Sequence, residues 1–153
     1  MVHLFMIKQK KKILVGALEC CDLPELGIFN MPVRVDTGAT TSSLHVDNIE
    51  EFEQDGKRWV RFDIHPDIHN VDKIVTTTAR LMSKKTVKSS SADKEKRVVI
   101  KTSFGLAGKK WKIKLTLTNR SSMSYLMLLG REAMKDRIIV DPSFDFIASK
   151  ETP

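Results

Sequence analysis

The chain predicts an all-β domain with one short helix near its C-terminal end. Three observations carry this. Short apolar stretches recur along the chain with alternating side chains, as in Val60, Phe62 and Ile64, or Trp111, Ile113, Leu115 and Leu117. Turn signals such as Asp55-Gly56 and Gly105-Leu-Ala-Gly108 separate them. Only Arg131-Glu-Ala-Met-Lys135 reads as a helix, and it is short.

The elements follow in order. Lys10-Lys11-Lys12 before Ile13-Leu-Val-Gly-Ala-Leu18 looks at first like a secretory leader. Glu19 ends the apolar run too soon for one, so Ile13 to Cys21 is read as the first strand. Leu23-Pro-Glu-Leu-Gly27 is a turn, and Ile28 to Val35 is the second strand. Ser42 to Val46 is extended. Asp55-Gly56 joins Asn48–Glu53 to Lys57–Ile64 as a hairpin. Val71 to Lys88 is polar and gives no clear element, and Ser89 to Lys96 has the composition of a flexible loop. Arg97–Phe104 and Trp111–Leu117 form a second hairpin. Tyr125 to Leu129 is wholly apolar, as in a strand buried on both faces, and Gly130 breaks it before the helix. Ile138–Val140 and Phe144–Ala148 are read as a terminal strand pair around Asp141-Pro142.

The chain has 153 residues, 41% of them hydrophobic, which suits one domain over 13–153 behind a basic extension, 1–12. The net charge is +7, with lysines clustered at Lys8–Lys12, Lys84–Lys88, Lys94–Arg97 and Lys109–Lys114. Such runs are most simply solvated edges and loops, and they also attract anionic partners. The aromatic residue inside these runs, Trp111, belongs to an alternating apolar strand, and no nucleic-acid motif appears, so no nucleic-acid partner is expected. No apolar stretch has the length of a membrane span, and no membrane partner is expected. Cys20 and Cys21 are adjacent, a spacing that disfavours a disulfide. Two free thiols fit a reducing compartment, and the expected location is cytoplasmic.

The most informative stretch is Val35-Asp36-Thr37-Gly38-Ala39-Thr40-Thr41-Ser42-Ser43-Leu44. It sets one carboxylate on a tight turn at the end of an alternating strand, with a glycine that lets other backbone approach. Asp-Thr-Gly alone arises by chance in roughly a few per cent of chains this long, so it needs support. Leu128-Leu129-Gly130-Arg131, running into the short helix, supplies that support.

Together, in this order, these segments resemble the retropepsins, the single-domain retroviral-type aspartic peptidases. More closely the chain resembles the bacterial retropepsin-like family often labelled ATP-dependent zinc proteases. Gly16–Glu19, Leu23–Gly27, Val35–Leu44, Val87–Ser90, Arg97–Thr102, Leu115–Arg120, Met127–Arg131 and Val140–Ser143 carry the resemblance. It implies a closed six-stranded acid-protease barrel and an aspartic endopeptidase acting on peptide bonds. Asp36, Thr37 and Gly38 are then the catalytic loop, with Ala39 and Thr40 beside the substrate. Leu128, Leu129, Gly130 and Arg131 support that loop. The triplet occurs once, so the second carboxylate would be Asp36 of a second copy, in a homodimer. The resemblance also implies a flap between residues 76 and 104, although Ser89-Ser-Ser-Ala-Asp93 lacks the glycines usual at a flap tip. The family's association with ATP-grasp ligases that add glutamate suggests acidic, glutamate-tailed peptide substrates.

The residues do not carry the rest of that label. No phosphate-cradling Gly-x-x-x-x-Gly-Lys-Ser/Thr pattern is present. His65 and His69 are spaced for one helical face, but Pro66 lies between them and no Glu completes the motif. No metal and no cofactor are therefore expected. Asp141 and Asp145 read as turn or strand-face residues, Cys20 lacks a base, and Ser42 and Ser43 lack a His-Asp pair. Glu19 is assigned no functional role; the simplest reading is a structural one, such as pairing with an arginine. The competing function is a non-catalytic peptide-binding module on the same scaffold, since fold alone does not determine chemistry. A metal-dependent peptidase is a third, weaker alternative.

Overall fold

The computed structural model describes residues 11–67, 70, 72–88 (backbone alone at 87 and 88), 94–119 and 125–149. The strands are β1 (Ile13–Val15), β2 (Leu18–Leu23), β3 (Ile28–Val35), β4 (Ser42–Gln54) and β5 (Lys57–Ile64). They continue as β6 (Val75–Lys88), β7 (Lys94–Leu106), β8 (Lys109–Asn119), β9 (Met127–Leu129) and β10 (Ile138–Val140). The helix α1 spans Arg131–Met134.

Turn chemistry sets the hairpins. Asp55 and Gly56 both take left-handed backbone, with φ of 54° and 71°, and join β4 to β5. Ala107 and Gly108 do the same between β7 and β8, at 51° and 76°. Consecutive left-handed residues match the natural twist of the strands they connect. After β2 the chain makes one 3-10 turn, Pro24–Leu26, ended by left-handed Gly27.

Six strands close a ring. β2 pairs with β3, β3 runs parallel to β9, and β9 is antiparallel to β4. β4 runs parallel to β8, β8 pairs with β7, and β7 meets β2 at Gly105 opposite Asp22. β5 and β6 make a second route from β4 to β7. The inside of this closed sheet holds Val33, Leu44, Phe62, Ile100, Phe104, Leu115 and Leu129, all buried. Closure removes the open edges on which a β domain would aggregate.

Three expectations needed correcting. Ile13–Cys21 is not one strand. The chain breaks at Gly16-Ala17, where a Cβ on Gly16 would lie 2.3 Å from the carbonyl oxygen of Phe144. Residues 75–88, unassigned from sequence, form a strand held on both sides by β5 and β7. Phe144–Ala148 is not a strand, and β10 pairs instead in parallel with β1. Residues 141–149 form a strap along the break in the first strand. Asp141 N–H donates to Val15, Ala17 N–H to Phe144 and Phe146 N–H to Leu18.

Candidate active site

β3 delivers Asp36. Val33 and Val35 point into the core, at 0% and 7% exposure, so Arg34 and Asp36 lie on the other face. The ladder with β9 runs one bond past the end of β3, with Asp36 N–H donating to Leu129 O at 2.9 Å. The chain then turns. Ala39 N–H donates to Asp36 O at 3.2 Å, and Gly38 N–H donates to the carboxylate oxygen Oδ1 at 2.8 Å. A Cβ on Gly38 would sit 3.1 Å from that same oxygen, tighter than ordinary contact. Among the described residues no other donor reaches the Asp36 carboxylate, which is half-buried.

The second segment clamps this loop. Leu129 is buried and in register with Val35, while Leu128 is half-exposed and in register with Arg34. Gly130 crosses so close to Thr41 that a Cβ would fall 2.5 Å from its carbonyl carbon. Its N–H donates to the buried hydroxyl of Ser42 at 3.0 Å. The first two residues of α1 donate backbone N–H groups to the loop, Arg131 to Ala39 O at 2.8 Å and Glu132 to Thr40 O at 3.0 Å. The Arg131 guanidinium then bridges Thr37 O at 2.9 Å and Thr40 Oγ1 at 3.0 Å. A planar fork holds two acceptors in a fixed geometry, which the single ammonium of a lysine on its flexible stem does not impose. Residues 36–40 and 128–131 thus form one unit. Thr37 and Thr40 stay exposed, and Thr40 keeps its own O–H free to donate.

The other candidates lie elsewhere. Asp141 accepts from Ser143 N–H at 3.0 Å, as a turn residue does, and Asp145 is exposed. Cys20 and Cys21 are buried and free, and burial pushes the Cys21 thiol far up, away from the reactive thiolate. His65 is buried and pairs through Nε2 with Asp47 at 2.8 Å, and His69 lies outside the described residues. No group of three or more potential metal ligands occurs among the described residues. Nor is any helix there long and apolar enough to cross a membrane. β6 and β7 form a long hairpin within the span expected of a flap, with Lys88 opposite Lys94. The glycine-free stretch Ser89–Asp93 lies outside the described residues.

Two roles were not read from sequence. Ser42 holds Gly130 rather than taking part in serine chemistry. Glu19 is fully buried and has no arginine partner among the described residues. It accepts from the backbone N–H groups of Gly16, Ile147, Ala148 and Ser149 and from the Ser149 hydroxyl. The Val33-Arg34-Val35-Asp36 alternation could have placed Arg34 beside Asp36. Nothing local foretold Glu19, whose strap partners lie 128 to 130 positions away.

A closed β ring with one Asp-Thr-Gly loop, pinned by an apolar-apolar-Gly-Arg segment, defines a retropepsin-like chain. The chain belongs to the RimB-like family, the retropepsin-like aspartic endopeptidases RimB, whose family model matches residues 14–151. It is 46% identical over 136 residues to a probable alpha-L-glutamate ligase of Shewanella pealeana, covering 88% of this chain and 30% of that protein. It is also 46% identical over 132 residues to a protein of that name from Desulfotalea psychrophila, covering 86% of this chain and 28% of that one. The chain thus spans less than a third of these curated relatives. A solved structure of a protein of unknown function from Legionella pneumophila matches with a TM-score of 0.76 and 30% identity, over 90% of this chain and 99% of that one.

Proposed function

We propose that the chain is an aspartic endopeptidase whose catalytic pair consists of Asp36 and Asp36 of a second copy. The observation that carries this is the Asp36 carboxylate. It is half-buried, bonded through one oxygen to Gly38 N–H, and fixed by a loop that Leu129, Gly130 and Arg131 clamp.

Two such carboxylates about 3 Å apart cannot both ionise, so they share one proton and titrate as a pair. The ionised one takes a proton from a water as its oxygen bonds to the scissile carbonyl carbon. The protonated one donates to the carbonyl oxygen. The C–N bond then breaks, with a proton passing to the leaving nitrogen. Thr37 meets its counterpart across the two-fold axis, and Gly38, Ala39 and Thr40 lie along the substrate backbone. The β6–β7 hairpin covers the cleft and excludes competing water.

The substrates are acidic peptides with glutamate tails. The relatives named as probable alpha-L-glutamate ligases support this, as does a net charge of +7, which steers anionic chains toward the protein. The test incubates wild type and Asp36→Ala with a glutamate-tailed peptide and follows the products by mass spectrometry. Cleavage by wild type alone is expected. Equal turnover by both proteins would sink the assignment.

A further inference from the structure

Arg34 has no role in the chemistry above, and its setting is unusual within this chain. Every other arginine among the described residues has a partner. Arg58, Arg61 and Arg97 pair with Glu51, Glu50 and Glu95. Arg80 and Arg137 lie over the rings of Trp59 and Trp111, and Arg131 holds the catalytic loop. Arg34 is exposed, and among the described residues it has no acid, carbonyl or ring partner.

Its position is set by the ladder. Arg34 and Asp36 are two residues apart on one strand, so they share a face at a spacing of about 6.6 Å along the chain. Across the sheet Arg34 is in register with Leu128, Leu128 with Ser43, and Ser43 with Thr116. This row of side chains runs beside Asp36 on the side the carboxylate occupies. It offers the exposed guanidinium of Arg34 and the half-buried side chains of Leu128 and Ser43, and ends at the buried Thr116. Arg34 is thus the exposed charge that shares a strand face with the Asp36 carboxylate.

We infer that Arg34 is a specificity-determining residue that selects a carboxylate on the substrate residue flanking the scissile bond. The inference rests on the aspartic reading of Asp36. Guanidinium and carboxylate pair through two parallel hydrogen bonds, a geometry that a neutral amide side chain cannot match. In a symmetric dimer one Arg34 lies on each side of the cut, so both flanking residues are selected to be acidic.

The test compares a glutamate-tailed peptide with a glutamine-tailed one of equal length. Binding is measured by fluorescence anisotropy in the Asp36→Asn background, where nothing is cut, and cleavage is measured with Asp36 intact. The Asp36→Asn protein binds the glutamate tail more tightly than the glutamine tail. Adding Arg34→Ala removes roughly 10- to 100-fold of that preference, Arg34→Lys keeps part of it, and Lys101→Ala, which removes an exposed charge on another strand, leaves it in place. With Asp36 intact, Arg34→Ala lowers kcat/KM on the glutamate tail and spares the glutamine tail. An unchanged preference in Arg34→Ala, or an equal loss on both peptides, overturns the inference. Absence of cleavage by wild type counts against the aspartic reading, while the binding arm still decides whether Arg34 reads the carboxylate.

Discussion

Glu19 on β2 and Asp36 just past the end of the neighbouring β3 are two carboxylates treated in opposite ways. Glu19 is completely buried, and both its oxygens accept from the donors of Gly16 and of the strap residues 147–149. Asp36 is half-buried and accepts one hydrogen bond, from Gly38. The clamp around Asp36 grips the backbone and leaves the carboxylate open. The clamp at Glu19 is the carboxylate itself. A saturated acid holds structure, whereas an acid on a rigid loop with open oxygens is available for chemistry. The two regions also touch. Val35 N–H, at the root of the Asp36 loop, donates to Ala17 O at 2.9 Å, and Ala17 N–H donates to Phe144 O in the strap at 2.7 Å.

Substitutions sharpen this contrast, and the largest effect on stability belongs to Glu19. Glu19→Ala leaves the buried N–H of Gly16 and the part-buried donors of Ile147, Ala148 and Ser149 without their acceptor and is expected to cost about 3–5 kcal/mol in urea unfolding. Loss of only a few tenths would mean that water or another acceptor replaces the carboxylate. Gly130→Ala comes next. Its methyl group meets the backbone of Thr41 on the carbonyl carbon, oxygen and nitrogen, so no rotamer relieves the contact. We expect about 2–3 kcal/mol of destabilisation, with kcat falling more than KM rises because the loop itself is displaced.

Arg131→Lys should separate stability from activity. The side chain is exposed, so the melting temperature changes little, but one of the two bridged acceptors, Thr37 O or Thr40 Oγ1, loses its donor. A lowered kcat with a near-native melting temperature is the expected result, and full activity would show that the backbone bonds suffice. The smallest effect lies far from both regions. Glu25 accepts from Ser103 N–H at 2.8 Å and from Lys112, which holds its carboxyl down from 4.5 to about 2. Because the folded value is depressed, its contribution is complete above the ordinary value and fades as pH falls from 4.5 toward 2. The melting-temperature gap between wild type and Glu25→Gln should close over that window. The pair is half-exposed, so the gap is small at any pH.

Local rules made much of the fold legible. β3 was read with its observed ends because Pro32 and the alternation of Met31, Val33 and Val35 define one buried face. Asp55-Gly56 marked its hairpin because it takes the backbone that twisted strands require. β6 was hidden because Val75, Thr77, Ala79 and Leu81 are only half-buried and threonine and lysine fill the rest. Its strand character comes from β5 and β7, which sequence does not reveal. The strap failed for the opposite reason. Phe144 to Ala148 looks apolar enough for a strand, yet Phe144 and Ile147 are exposed, and the backbone bonds to the kink after Gly16 and to Glu19. At the candidate site the two motifs were plain from residue types. The use of Ser42 and Arg131 as clamps depends on a close crossing between positions 88 and 94 residues apart.

The central claim is that one chain holds half of a catalytic pair, and subunit mixing tests it most directly. Wild type and Asp36→Asn are combined in equal amounts, allowed to exchange, and assayed on the glutamate-tailed peptide against the wild type alone. If each site needs Asp36 from both copies, only wild-type pairs cleave, and activity falls to about a quarter. If each chain carries a complete site, activity stays at about half, and the shared pair is contradicted.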